Sequence, residues 1–373
     1  MSTLWIFSIE PIETRYTKQW HDHLPKLLSK ETSLRVVQLD GTQNNTKTTP
    51  GAFLNFSDTN YWKSSQLCEF LTHYNNGETS SDDHFLFTDA WNPTIIQIKY
   101  MNDLLRHNWT LHGLWHAGSY DKHDALGQLI GNDPWVRHAE HSYFYCYDHN
   151  YFATMFHVDM FVEHLLSRSF DVPLSIVSKK TNKWLENQKI VISGWPMEYL
   201  TTELDPYKNI KKENLILFPH RIAPEKQLNI FKDIEKHLPE YEFVVCQEKE
   251  LSKHEYHTLL GRAKMVFSAN TQETLGISTC AEGPILGALP LAPHRLSYTE
   301  ILDEQFMYPS LWTEDFNKYT AYKNDLIEVV KFMMDRYDSF LPALEKQNSR
   351  VLRDFFSAEK LICRINKTAE MCA

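Results

Sequence analysis

The sequence predicts an α/β fold of two parallel-sheet domains. Three observations predict it. The length, 373 residues, exceeds one ordinary core and suits two domains. Hydrophobic residues make up 42% and aromatics 13%, enough for packed interiors. Short apolar runs alternate with amphipathic stretches, and strands that alternate with helices pair in parallel, with helices on both sheet faces.

Each element follows in order. Residues 4–9 read as a buried first strand, 16–29 as a helix carrying Trp20, Leu24, Leu27 and Leu28, and 34–39 as a second strand. Residues 84–88 are a third strand, 94–106 a helix and 110–115 a fourth strand. Residues 143–147 read as a fifth strand, followed by a helix over 153–167. The pattern restarts with a strand at 189–193. The polar stretch 203–214 reads as a linker, and 41–50 as a loop. Then come a strand at 215–219, a helix at 225–237, a strand at 242–246, a helix at 253–262 and a strand at 265–268. A helix at 277–286 should kink at Pro284, and a strand at 289–292 follows. The end, from 323, reads as helical. The expected domains are 1–200 and 213–350, with 351–373 a C-terminal helix packing back on the first. In this architecture the site belongs in a cleft between the domains, at the carboxyl ends of the strands.

Charge and cysteines exclude several classes. Net charge is −10, a poor basis for a non-specific nucleic-acid coat. A local basic groove remains compatible with it. The six cysteines form no CxxC pair, and the 18 histidines are dispersed; His138-Ala139-Glu140-His141 lacks the spacing of a zinc helix. A histidine-rich metal site or zinc knuckle is not expected. The N-terminus has no basic segment before Glu10 and no run reaches membrane length, so a cytoplasmic protein with reduced thiols is expected.

Three clusters fall at strand-to-helix junctions. In Phe218-Pro219-His220-Arg221-Ile222-Ala223-Pro224-Glu225-Lys226, the proline suits a first helical turn. Arg221 and Lys226 then flank a helix N-terminus that favours an anion, and two cations suit a diphosphate. Alone, they read equally well as a solvated pair. In 268–278, Gly276 permits close backbone approach. Glu273 and Glu282 could each accept two hydroxyl hydrogens, one from a sugar and one from a ribose; the plainer reading is a helix-capping acid and an exposed acid. The third cluster runs from Gly287 through Pro290 to Glu300.

Together these clusters resemble the donor half of the retaining GT-B glycosyltransferases of family 4. That family carries an R-x-x-P-E-K-like segment, a Ser before E-x-x-G, a second Glu, and G-x-x-P. The loop His294-Arg295-Leu296-Ser297-Tyr298-Thr299-Glu300 resembles the branch that mannosylates queuosine in tRNA. The resemblance covers about residues 189–302. It implies two Rossmann-like domains facing a cleft and a nucleotide-sugar co-substrate, with no cofactor and no metal. Arg221 and Lys226 would bind the diphosphate, Glu273 the transferred sugar and Glu282 the ribose. Thr274, Leu275, Gly276 and Ile277 would complete the donor segment. One departure is visible: Glu273 and Glu282 have eight residues between them, one more than the family pattern.

The N-terminal half is expected to bind the acceptor. Asp89 and His116, at strand ends, are the expected catalytic groups beside Glu273. His112 and Trp115 are expected acceptor contacts, with a core position the alternative for both. The Asn-, Tyr- and Lys-rich composition is similar to that of T-even-like bacteriophage proteins. The resemblance implies hexosyl or pentosyl transfer, with retention, to a modified base. Hydroxymethylcytosine in phage DNA comes first and queuosine tRNA second. Lys99, Arg106, Lys179, Lys180, Lys183, Lys208, Lys211 and Lys212 are the candidate basic stripe. The alternatives are transfer to a small molecule, lipid or polysaccharide, or a non-catalytic sugar-nucleotide binding protein.

Overall fold

In the structure, a computed structural model, the apolar runs become two parallel sheets. It describes residues 2–13, 15–44, 55–116, 118–168 and 172–372. Positions 45–50 of the expected loop and Ala117 of the expected acceptor segment lie outside the described residues. The chain divides into two units, Met1–Pro196 with Ala358–Ala373, and Met197–Ser357.

The first unit runs β1 (Thr3–Phe7), α1 (Tyr16–Glu31), β2 (Arg35–Leu39), α2 (Phe56–Asn75), β3 (His84–Phe87), α3 (Thr94–Leu104), β4 (Thr110–Leu114), α4 (Ala125–Ile130), α5 (Pro134–Cys146), β5 (His149–Phe152), α6 (Met155–Val162), α7 (Leu174–Glu186) and β6 (Ile190–Ile192). Its sheet order is β2-β1-β3-β4-β5-β6. The central strands are buried on both faces, as covered parallel sheets require. Trp5, Phe70, Phe85 and Trp109 interlock edge-on in its core. Truncating one of these rings to Ala costs about 3–5 kcal/mol. Asp83, fully buried, holds the start of β1 by accepting from Thr3 N–H and the Trp5 indole, both at 2.8 Å.

One expectation fails here, and one helix was not foreseen. Residues 143–147 are not a strand: they close α5, which Pro134 opens, and Val136, Glu140, Tyr143 and Phe144 form its buried stripe at helical spacing. The true strand is β5, where His149 and Asn150 are buried polar residues. Helix α2 has no counterpart in the sequence reading. Its apolar face is broken by buried Lys63 and Gln66, and its start is set by Asn55, which accepts from Ser57 and Asp58 N–H.

The second unit runs α8 (Tyr199–Leu204), β7 (Glu213–Phe218), α9 (Leu228–Glu235), β8 (Glu242–Val245), α10 (Lys253–Arg262), β9 (Ala263–Phe267), α11 (Gly283–Ile285), β10 (Leu289–Pro293), α12 (Tyr298–Ile301), β11 (Met307–Tyr308), α13 (Phe316–Asp335) and α14 (Tyr337–Phe355). Its sheet order is β8-β7-β9-β10-β11. The stretch 203–214 is no free linker. It carries the end of α8 and a 3-10 turn, Asp205–Tyr207, and Glu203 pairs with Lys253 of α10. A Cβ on Gly261 of α10 would stand 2.9 Å from the Tyr207 carbonyl. Helix α15 (Glu359–Cys372) belongs to the first unit, where Arg364 donates to His149 Nε2 at 3.2 Å.

Candidate functional site

The clusters at 218–226 and 268–278 meet at one place in the second sheet. In the order β8-β7-β9-β10-β11, the winding reverses between β7 and β9. Open parallel sheets bind ligands beyond the carboxyl ends of the strands at such a switch point. Loop 219–227 follows β7 and loop 268–277 follows β9. They are tied together: Thr271 N–H donates to the Glu225 carbonyl at 2.8 Å. Lys226 Nζ crosses between them, donating to the Gln272 carbonyl at 2.6 Å, Gln272 Oε1 at 3.1 Å and Glu273 Oε2 at 3.4 Å.

The helix expected at 225–237 starts later. Pro224–Lys226 is a 3-10 turn, Gln227 is left-handed at φ 52°, and α9 begins at Leu228. Lys226 therefore stands before the helix rather than on its first turn. Its charge, not the helix terminus, is the main attraction for an anion. Gln227 Nε2 donates to the Ala269 and Thr313 carbonyls, both at 2.7 Å. Arg221 is half exposed and donates to buried Glu225 at 2.5 Å. That bond engages only one of the five guanidinium N–H groups.

Glu273 is partly exposed, and its environment favours the charged form. Burial opposes ionisation, but the Lys226 ammonium and the Gly276 N–H outweigh it and hold the carboxyl below its ordinary range. Thr274 and Leu275 are buried, so they shape the loop with their side chains. Gly276 takes φ +72°, where only glycine is unstrained. Ile277 is half-buried. Beside Glu273, Asn270 Nδ2 donates to its Oε2 at 3.4 Å. Asn270 Oδ1 is buried without a partner among the described residues, an acceptor suited to a sugar hydroxyl. His220 shares this wall. Burial pushes its imidazole down to about 3, so it is neutral.

The extra residue before Glu282 has a physical form. Ser278–Glu282 is a π-helical turn, with Gly283 N–H bonded to the Ser278 carbonyl five residues back. A π turn takes up one more residue than an α turn. Glu282 thereby comes round to the face that residue 281 would hold in an unbroken α-helix. Ala281 is buried, whereas Glu282 is half-buried and accepts from Tyr256 Oη at 2.8 Å and Ser278 Oγ at 3.0 Å. Burial raises the Glu282 carboxyl despite these two hydroxyls. The helix expected at 277–286 is thus a π turn followed by the single turn of α11, with Pro284, which has no N–H, just after the change. Gly283 lets this turn lie on β9: a Cβ there would be 2.7 Å from Val266 Cγ2.

Sequence reasoning named Arg295 within its loop but gave it no role. It is partly buried and donates to the carbonyls of Ala269, Asn270, Ser310 and Thr313 at 2.7–3.0 Å. Tyr298 Oη meets Ser268 and Asn270 at 2.9 and 3.1 Å. The 294–300 segment therefore holds up the Glu273 loop. A cation followed by an aromatic after a strand was the available signal.

In the first unit the corresponding switch lies between β1 and β3. Asp89 follows β3 there and accepts from Lys63 Nζ at 2.8 Å and Trp91 N–H at 3.1 Å. His116 follows β4. Its Nε2 lies 2.6 Å from the Thr88 carbonyl, so Nε2 carries the proton, and Nδ1 accepts from Tyr16 Oη at 2.7 Å. Burial lowers its pKa, so the ring is neutral. Tyr16, Trp20 and Trp195 enclose it at 4.9–5.8 Å between ring centres. His112 and Trp115 do not reach this surface, which corrects their expected role as acceptor contacts. Both are fully buried: His112 bonds to Tyr151 and His84, and the Trp115 indole to Asn150. The expected basic stripe draws on both units. Lys208, Lys211 and Lys212 lie in the second unit, and Lys212 is partly buried against the Ala263 carbonyl.

No family model and no curated protein matches the sequence. Solved structures do match, across the whole chain. Sucrose-phosphate synthase from Thermosynechococcus elongatus is 11% identical with a TM-score of 0.55, over 100% of this chain and 99% of that one. The catalytic domain of starch synthase IV from Arabidopsis thaliana, bound to ADP and acarbose, gives 10% and 0.58 over the same shares. Trehalose 6-phosphate synthase from Burkholderia multivorans gives 11% and 0.53, over 100% and 98%. The fold is GT-B. Within this GT-B chain, Arg221, Lys226, Glu273 and Glu282 all stand in the second unit, and Asp89 and His116 in the first.

Proposed function

We propose that the chain transfers a sugar from a nucleotide-sugar donor to an acceptor hydroxyl. The observation that carries this reading is the convergence of Lys226 and Glu273 at the β7/β9 switch point, with Glu282 on the following turn. Lys226 and Arg221 hold the diphosphate, Glu273 the transferred sugar and Glu282 the ribose. The acceptor oxygen bonds to the anomeric carbon as the bond to the diphosphate breaks. The two cations stabilise the charge that develops there, so positioning and electrostatics supply the rate without a metal. Asp89 and His116 serve the acceptor side. Nδ1 of His116 can accept from a hydroxyl once Tyr16 gives way.

The finer reading is transfer, with retention, to a modified base: hydroxymethylcytosine in DNA first, queuosine in tRNA second. It is supported by the likeness of loop 294–300 to the tRNA-modifying branch and by composition. Lys179, Lys180 and Lys183, all exposed on α7, remain as basic contacts for it.

The test is nucleoside diphosphate release from a panel of nucleotide-sugars, with mass spectrometry of the nucleosides of hydroxymethylated DNA and of tRNA. Release that rises with one of these acceptors, with a sugar's mass added to a base, is expected. Release stimulated only by free sugars or glycans would move the acceptor to that class. No release from any donor would contradict the transferase reading.

A further inference from the structure

A cavity of about 490 Å³ opens in the first unit between α15 and the edge strand β6. That volume falls in the range of small-molecule sites. One wall is a stripe of α15: Lys360, Cys363, Arg364 and Lys367 recur at helical spacing and share one face. The other wall is apolar, made by Leu185 at the end of α7 and residues 190–192 of β6.

The charges of the stripe are unbalanced. Lys360 and Lys367 have no ion pair among the described residues. Arg364 is half-buried, and its guanidinium meets an imidazole rather than a carboxylate. Its Nε and Nη2 both lie 3.2 Å from His149 Nε2. His149 Nδ1 donates to the Gln188 carbonyl at 2.7 Å, so Nε2 is the bare nitrogen and accepts. Burial pushes this histidine down to about 4, so the ring is neutral. A cation withdrawn from water is ordinarily paired with an acid. Here a neutral ring orients Arg364 and leaves its charge unanswered. The Nη1–Nη2 edge, with two parallel N–H groups, stays open. Glu359 is the one acid among the residues lining the cavity, against three cations.

We propose that this cavity binds a small phosphate monoester, its phosphate on Arg364, Lys360 and Lys367 and its carbon body against Leu185 and residues 190–192. The open edge of a guanidinium matches two phosphate oxygens, and the flanking ammonium groups suit the second charge. The apolar wall favours an esterified phosphate over the free ion. The three cations span only about 10 Å along α15. Nucleic acid is held along a longer basic groove, so a small molecule fits better. Every residue of the cavity belongs to the first unit, whereas Lys226 and Glu273 stand in the second. The site therefore does not rest on the transfer reading.

Exposed Cys363 stands in the stripe and reports on the cavity, and exposed Cys68 on α2 is the control. The full chain is treated with iodoacetamide at constant ionic strength, and each cysteine's modification is timed by peptide mass spectrometry. Phenyl phosphate is expected to slow Cys363 while Cys68 keeps its rate. Inorganic phosphate should need a higher concentration for the same protection, and an equal one overturns the monoester. Arg364→Met should raise the half-protecting concentration about tenfold or more, the loss of a charged hydrogen-bond donor. Lys367→Met should raise it through an exposed side chain that the fold does not need, and circular dichroism verifies both variants. Lys226→Met should leave protection unchanged. Unprotected Cys363 overturns the proposal, as does protection indifferent to both Arg364→Met and Lys367→Met. Protection lost in Lys226→Met overturns it by moving the phosphate to the second unit. Protection by duplex DNA at a lower phosphate concentration than phenyl phosphate overturns it in favour of nucleic acid.

Discussion

Lys226 and Glu273, 47 residues apart in sequence, meet with Nζ 3.4 Å from Oε2. They meet because β7 and β9 are adjacent parallel strands whose carboxyl-end loops fold toward each other. The ammonium also holds the Gln272 carbonyl, so it shapes the loop and charges the site.

Removing that charge should damage both functions of Lys226. Lys226→Met is expected to lower nucleotide-sugar turnover by about a hundredfold or more. It should also cost roughly 1–3 kcal/mol of stability, because the Gln272 carbonyl loses its donor. Donor kinetics and urea melts measure the two effects separately. Unchanged turnover would remove Lys226 from the site.

The π turn makes a prediction about register. Glu282→Ala should weaken nucleotide binding about tenfold or more, the loss of a hydrogen-bonded charged group. Adding Ala281→Glu to that variant restores the family's sequence spacing but should not restore binding, because position 281 faces the core. Rescue by the double variant would show that Glu282 does not occupy the ribose position.

Arg295→Met should release the carbonyls of Ala269, Asn270, Ser310 and Thr313 together. A loss of about 3 kcal/mol or more is expected from such a partly buried hydrogen-bonded group, with donor affinity falling in parallel. Limited proteolysis and nucleotide titration measure these. A variant as stable as the wild type would make the network incidental.

The first unit should be acid-sensitive. Burial pushes both His84 and His149 down to about 4 from 6.5. Between these values the unfolded chain binds more protons than the folded one, so stability rises with pH. The contribution is complete above about 6.5 and drains away as pH falls toward 4. At pH 5 each histidine should have lost roughly 2 kcal/mol. Urea melts followed by tryptophan fluorescence at neutral pH and pH 5 test this. Equal midpoints would contradict it.

Most of the strands were legible because buried parallel strands such as 84–87 and 215–218 are short apolar runs. The helix over 253–262 was legible through its periodic pattern, and Ser252 and Glu255 cap it reciprocally. The misread segment 143–147 is aromatic on successive residues, which imitates a strand. Only Pro134 and the stripe Val136, Glu140, Tyr143 mark it as helix. Strand β5 was hidden because its polar residues His149 and Asn150 find partners only in the folded sheet. Arg221, Lys226 and Glu273 were visible as residues of the loops after strands, and Glu282 as an acid further on. How Glu282 is turned was not, because a π turn leaves no mark in composition. His112 and Trp115 could not be separated from His116 by sequence, since neighbouring residues on a strand differ only in which face is covered.

The most direct measurement is calorimetric titration of the full chain with UDP, GDP and ADP. One of them should bind at micromolar concentration, and Lys226→Ala and Glu282→Ala should each weaken it about tenfold or more. Absence of binding by all three, or binding indifferent to both substitutions, would contradict a nucleotide-sugar site at the β7/β9 switch point.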